Sequence, residues 1–172
     1  DFEAWNSHSR VQVSRAELQP ASLWGPGSKC RIPRVMQRMI VIDADAATPL
    51  YQPQKSLDEL SFLDCDVTNV AHHIRPGGAI AIIGVGGSRD LQAALLFGHT
   101  PVIGIELNRR LLEILRSPMG QPTLIPQHRD VRLVHDEARS FLSRSPRQYR
   151  MIQASLIDTW AATGAGAHAL GE

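Results

Sequence analysis

Residues 78–90 read Gly78-Ala-Ile-Ala-Ile-Ile-Gly-Val-Gly-Gly-Ser-Arg-Asp90, and the rest of the chain can be read outward from them. The apolar run Ala79–Ile83 is short and continuous, as a strand buried on both faces of a parallel sheet should be. Gly84, Gly86 and Gly87 follow, residues without Cβ atoms, so the backbone can turn sharply and come close to a ligand. Ser88 is placed to cap a helix from about Arg89 to Phe97, whose Leu91, Ala94 and Leu95 share a face. The following helix aims free N–H groups back at whatever the loop holds.

The same rhythm continues downstream. Pro101–Glu106 is a second strand, and Asn108 caps a helix carrying Leu111, Ile114 and Leu115. Val131–Val134 is a third strand, Glu137–Leu142 a third helix and Tyr149–Leu156 a fourth strand. Strands alternating with helices of this length predict βαβ units and a parallel sheet, an α/β fold of Rossmann-like type. Upstream the texture differs. Arg10–Ser14 alternates polar and apolar residues, Met36–Asp43 favours β structure, and Gln19–Pro33 between them is rich in proline and glycine. A small antiparallel sheet of two to four strands is expected there, followed by a helical stretch from Leu57 to Ile74 with Leu57, Leu60, Phe62 and Leu63 on one face. The division is therefore a small β region, residues 1–60, and a cofactor-binding region, residues 61–172.

Composition narrows the function classes. Of the 172 residues 43% are hydrophobic and 20% charged, as in ordinary globular proteins. A formal charge of +1 gives no electrostatic reason to expect nucleic acid as a partner. The longest apolar run, Ala79–Val85, is far below the roughly 20 residues that a membrane helix needs, so no membrane contact by this segment is expected. The 2 cysteines, Cys30 and Cys65, read as small, partly buried thiols of a reducing compartment. The 7 histidines show no metal-binding spacing, and His72-His73 reads as a surface or helix-end pair. The chain starts at Asp1 and stops at Glu172 within a small-residue run, so both ends look cut from a longer protein.

Ligands of such sheets sit at the carboxyl ends of the strands. Glu106 ends the second strand about 20 residues after the first loop glycine, where an acid can accept from both hydroxyls of a ribose. Asp136 and Glu137 end the third strand; one suits an adenine amino group while the other helps cap the helix, and a plain capping role for Asp136 is equally favoured. The candidate cofactor residues are thus Gly84, Gly86, Gly87, Glu106, Asp136 and Glu137. No Gly-x-Ser-x-Gly elbow and no Gly-x-x-x-x-Gly-Lys-Ser/Thr phosphate loop is present.

Several segments together carry a resemblance: Ala81-Ile-Ile-Gly-Val-Gly-Gly-Ser-Arg-Asp90, Gly104-Ile-Glu-Leu-Asn108, Glu137-Ala-Arg-Ser-Phe-Leu142 and Ser155-Leu-Ile-Asp-Thr-Trp160. They resemble the spermidine synthase-like family, in particular the bacterial branch found as the soluble part of larger, often membrane-embedded proteins. Trp5-Asn-Ser-His-Ser-Arg10 and Ile40-Val-Ile-Asp43 look like the same branch. The resemblance implies a small N-terminal β-hairpin region and a methyltransferase-type Rossmann-like fold, incomplete at its C-terminus. It further implies S-adenosylmethionine or its decarboxylated form as cofactor, a small-molecule acceptor such as an amine, and room for a homodimer. The location it implies is cytoplasmic, alone or as the soluble domain of a larger membrane protein.

The sequence departs from the family at the catalytic positions. Where aminopropyltransferases have Asp-x-x-Asp, this chain has Ser155-Leu-Ile-Asp158, so Asp158 alone remains as candidate catalytic residue. A serine hydroxyl cannot act unaided as a base at neutral pH. The acidic residue of the family's glycine loop is missing, and its hairpin glutamine corresponds to Ala46. The expected function is a group transferase of S-adenosylmethionine type with an open acceptor. A polyamine aminopropyltransferase and a non-catalytic ligand-binding module of a larger protein are the alternatives.

Overall fold

In the computed structural model, residues 2–6, 9–43 and 46–157 are described. The chain begins with strands β1 (Phe2–Trp5), β2 (Arg10–Val13), β3 (Glu17–Pro20), β4 (Arg34–Ile42) and β5 (Ala46–Tyr51). All pair antiparallel in one sheet, so the N-terminal region has five strands where two to four were expected. β4 is its spine. β5 runs along one edge from Gln37 to Ile42, while β2 and β3 divide the other edge, β2 at Ile40–Ile42 and β3 at Arg34–Gln37.

The expected helical stretch is two 3-10 segments, Leu57–Cys65 and Val67–Asn69, and the short helix α1 (Val70–Ile74). Leu60, Phe62 and Leu63 are buried there, against Tyr51 and Ala93. The alternating part follows: β6 (Gly78–Ile83), α2 (Arg89–Leu96), β7 (His99–Glu106), α3 (Arg109–Arg116), β8 (Val131–His135), α4 (Ala138–Arg144) and β9 (Met151–Ala154). The strands form a parallel sheet in the order β8-β7-β6-β9. β6 is internal, with β7 on one side and β9 on the other, so strand order reverses at the glycine loop after β6. That reversal opens a crevice at the carboxyl ends. No helix among the described residues is long and apolar enough to cross a membrane.

Alternation of side chains explains the core. Ile80, Ile82 and Val102 project to one face and pack with Leu91 and Ala94 of α2 and Leu111, Ile114 and Leu115 of α3. Ala81, Ile103 and Ile105 project to the other face, against Ala138, Phe141 and Leu142 of α4. The first cluster also contains Val11, Val13, Ile40 and Leu50 of the N-terminal sheet. The two regions are therefore joined by one continuous apolar core, which buries Leu50 completely.

Three local expectations need correction. Cys30 and Cys65 are joined as a disulfide across 35 residues, with their Cα atoms 6.0 Å apart, and are not free thiols. Their sequence separation hides the fact that the loop after β3 folds back onto the end of the first 3-10 segment. His72 is a core residue with 0% exposure, since α1 lies across the lower end of the sheet and turns this ring inward; His73 stays at the surface beside Asp64. Ser88 precedes α2 in a left-handed conformation, its hydroxyl buried without a partner, so it is not a side-chain cap.

Candidate functional site

A cavity of about 570 Å³ opens at the carboxyl ends of β6, β7 and β9, beneath the edge formed by β4 and β5. Its floor is the loop after β6. Gly84 has φ +77°, and a Cβ there would meet Ile157 Cγ2 at 2.8 Å, so a side chain is excluded both by conformation and by space. Gly86 lines the cavity as well. Gly87 does not. A Cβ on it would collide with the backbone carbonyl of Pro49, and its N–H points to Thr48 Oγ1 at 3.3 Å. This glycine makes room for β5 and not for a ligand.

Glu106 is brought to the same place by β7, with only 7% of its surface exposed. Its carboxylate faces inward to the loop. Oε2 accepts from Val85 N–H at 2.8 Å and Gly86 N–H at 3.2 Å, and Oε1 accepts from Asn108 N–H at 2.8 Å. The acid thus clasps the glycine loop to the start of α3 while lining the cavity. A carboxylate offers about four lone-pair positions, so one remains. Asn108 caps α3 as expected, accepting from Arg110 N–H at 3.0 Å, and is itself held by Asn6 and Ser9 of the β1–β2 turn.

Asp136 and Glu137 lie at the end of β8, outside the lining of this cavity. Glu137 is the cap of α4: its oxygens accept from Arg139 and Ser140 N–H at 2.8 and 2.7 Å. Ser140, through its side chain and its N–H, and the Arg139 N–H hold the Glu137 carboxyl down at about 2. Asp136 is paired with Arg144 at 2.5 Å. The capping role thus falls to Glu137, while both oxygens of Asp136 are engaged, one by Arg144 and one by the Glu137 N–H. Asp158 lies outside the described residues, as does Trp160.

The structure adds a charged group that the sequence did not single out. Arg89, at the first turn of α2, is buried with Nη1 3.5 Å from Asp66 and Nε 3.3 Å from Asp90. Arg89 and Asp90 both line the cavity, next to Ser155. Burial pushes the Asp90 carboxyl above its usual range, partly offset by Arg89 and by a hydrogen bond with the Ser155 side chain. The signal in the sequence was an Arg-Asp pair opening a helix after a glycine loop, a place where one buried charge needs another. Asp66 could not be found that way, since it comes from the distant junction between the two 3-10 segments. Among the described residues no cluster of three His, Cys, Asp or Glu side chains could hold a metal.

No protein-family model and no curated protein matches the sequence. Solved structures do match the fold. The spermidine synthase from Thermotoga maritima superposes with a TM-score of 0.57 at 12% identity, over 94% of this chain and 49% of that one. A spermidine synthase in complex with the transition state analogue AdoDATO gives 0.53 at 11% identity, over 89% of this chain and 46% of that one. The chain spans about half the length of each. At such identity the likeness speaks for architecture alone, and on that level it agrees with the parallel sheet, the N-terminal antiparallel sheet and the crevice between them. The chain has a spermidine synthase-like, class I methyltransferase-like α/β fold.

Proposed function

We propose that this chain binds an adenosyl sulfonium cofactor, S-adenosylmethionine or its decarboxylated form, in the cavity and transfers a group from it to a small acceptor. One observation carries the reading: a glycine loop and a buried carboxylate meet on the floor of a cavity of about 570 Å³ at the switch point of a parallel sheet. That volume falls within the range of small-molecule sites, roughly 300–1,000 Å³. The residues present fit such a group. Glu106 has one acceptor position left for a ribose hydroxyl, and the 3.2 Å contact to Gly86 is the weakest of its three and the first to yield to a second. Met39, Ile42 and Leu111 give the cavity apolar walls for a ring. Asp136, at the end of β8 outside that lining, would meet an adenine amino group by exchanging its bond to Arg144.

When bound, the cofactor supplies a carbon activated by positive sulfur, which departs as a neutral thioether. The chain's own share is then alignment, exclusion of water and removal of the acceptor's proton. Ser155 cannot take that proton. Asp90 can: it faces the same cavity beside Ser155, and its carboxyl is raised by burial. This favours, as a second reading, amine transfer with Asp90 in place of the missing base.

Isothermal titration of the wild type with S-adenosylmethionine and S-adenosylhomocysteine tests the first reading, with saturable one-to-one binding expected. Ala47→Trp, placing a bulky ring at an exposed cavity-wall position, should abolish binding without lowering the melting temperature. No binding by well-folded wild type defeats the cofactor reading. Binding without turnover of labelled donor across a panel of amines leaves a ligand-binding module.

A further inference from the structure

The segment between β3 and β4 leaves the sheet at Ala21 and rejoins it at Pro33, its neck closed by the Ala21 N–H to Pro33 O bond of 2.8 Å. Its first half forms part of the cavity rim, since Ser22 and Trp24 line the cavity and Trp24 is 53% exposed. Trp24 is held from the segment that follows Cys65. Its N–H donates to Asp66 Oδ2 at 3.0 Å, and its carbonyl accepts from Val67 N–H at 3.0 Å. Asp66 in turn faces Arg89 on the cavity wall. Beyond Trp24 the loop is nearly unsupported. Among the described residues, Gly25–Ile32 make no hydrogen bond or ion pair to the rest of the protein; the Cys30 N–H to Gly27 O turn of 2.9 Å is internal to the loop. A Cβ on Gly27 would meet nothing within 4 Å. One covalent tie remains, the Cys30–Cys65 disulfide, and both its cysteines are partly exposed.

We infer that this disulfide is a redox-sensitive clamp on the cavity rim. It fixes the far end of the loop at Cys65, the residue next to Asp66, which fixes Trp24. The opening reaction needs a dithiol reductant. One of its thiolates attacks a disulfide sulfur and forms a mixed disulfide, releasing the other cysteine as a thiolate that takes up a proton. The reductant's second thiol then displaces the remaining cysteine, so the chain gains two electrons and two protons while the reductant leaves as its own disulfide. With the tie gone, the rim keeps the two hydrogen bonds at Trp24 and the Tyr51 hydroxyl to Ser22 carbonyl bond of 2.6 Å. The loop beyond Trp24 keeps no hydrogen bond to the rest of the protein among the described residues, and such weakly supported segments open locally without global unfolding. The Rossmann-like core, which contains neither cysteine, keeps its packing.

The test uses the whole chain, oxidised and after dithiothreitol, with Cys30→Ser as a variant that cannot form the bond. Trypsin cleaves after Lys29 and Arg31, inside the clamped loop, and mass spectrometry follows each site. Reduction and Cys30→Ser should each raise cleavage there by roughly tenfold or more, while the melt stays cooperative. Affinity for S-adenosylhomocysteine should fall about fivefold in the same samples, a readout that rests on the cofactor reading proposed above. Equal cleavage in all three samples overturns the clamp. Loss of the cooperative melt on reduction also overturns it, since the bond would then be a staple of the whole fold. Cleavage that rises while neither redox form binds S-adenosylhomocysteine upholds the clamp and sinks the cofactor reading.

Discussion

Replacing Glu106 by alanine removes the acceptor of three backbone N–H groups at once: Val85, Gly86 and Asn108. Their fates differ. The bond to Val85 is buried, so its N–H is left without a partner, at a cost of about 1–3 kcal/mol. Those of Gly86 and Asn108 are partly buried at the cavity, where water replaces the carboxylate, and the net loss is about 0.5–1 kcal/mol each. The sum is about 2–5 kcal/mol. For a chain of this size each kcal/mol lowers the melting temperature by roughly 2–4 °C, so a fall of about 4–20 °C is expected. Glu106→Gln keeps one acceptor but sets an amide NH2 against a remaining N–H, and should lose about half as much. Urea denaturation followed by far-UV circular dichroism measures both. This differs from the bare sequence reading, in which an acid at a strand end touches only a ligand. A Glu106→Ala protein within about 0.5 kcal/mol of wild type, near the scatter of neutral surface changes, would refute the clasp. Affinity measurements on Glu106 variants should therefore be read together with their melts.

Gly87→Ala sets a methyl group against the Pro49 carbonyl, where backbone meets backbone and neither can swing away. A loss of about 1–3 kcal/mol in chemical denaturation is expected, with β5 disturbed first. Asn108→Ala removes the cap of α3 together with its bonds to Asn6 and Ser9, and should lower stability by about 1–2 kcal/mol in the same assay. His72 gives a pH dependence. Its Nδ1 lies 3.0 Å from His99 Nε2, and His99 Nδ1 lies 3.2 Å from the Gly78 carbonyl, which fixes His99 Nδ1–H and His72 Nδ1–H as donors. Phe97 stacks on the His72 ring. Burial first, then the facing His99 and the nearby His73, push His72 down to about 4. His99 is lowered too, by burial, with Arg150 acting the same way. The folded state therefore binds fewer protons than the unfolded chain between about pH 6.5 and 4. Stability should be complete above that window and decline as pH falls through it, by about 3 kcal/mol from His72 with a further share from His99. His72→Phe should flatten the decline in urea melts taken at stepped pH.

The parts of the fold that could be read from sequence are those written locally. Ala79–Ile83, the loop glycines, Asn108 as a cap and the run Val131–Val134 each carry their own pattern of apolar spacing or cap chemistry, and each is found where expected. The N-terminal sheet was harder. β5 contains Pro49 and β3 ends on Pro20, residues that argue against strands until one sees that both strands lie against β4 with an outer edge free of ladder partners. β1 is four residues long and exposes Trp5. In the site, the convergence of Gly84, Gly86 and Glu106 was legible because strand ends in a parallel sheet gather at one edge. The inward turn of the Glu106 carboxylate, the burial of His72, and the pairing of Cys30 with Cys65 depend on which distant segments cover them. No window of sequence contains that information.

The cavity has no wall of its own. Val85 and Leu111 face the ligand space and belong to the same buried cluster as Ile40, Leu50, Ile80 and Ile82, so its floor is also the seam on which both sheets are folded. Anything that binds there only in the folded state adds to the stability of the entire molecule, by about 2.7 kcal/mol at a hundred times its dissociation constant. By the same scaling used above, that is a rise of roughly 5–10 °C in the melting temperature. The protein is thus its own indicator. A dye-based melt across a library of adenosyl compounds, amines and other small nucleophiles can identify both donor and acceptor before any reaction has been assigned.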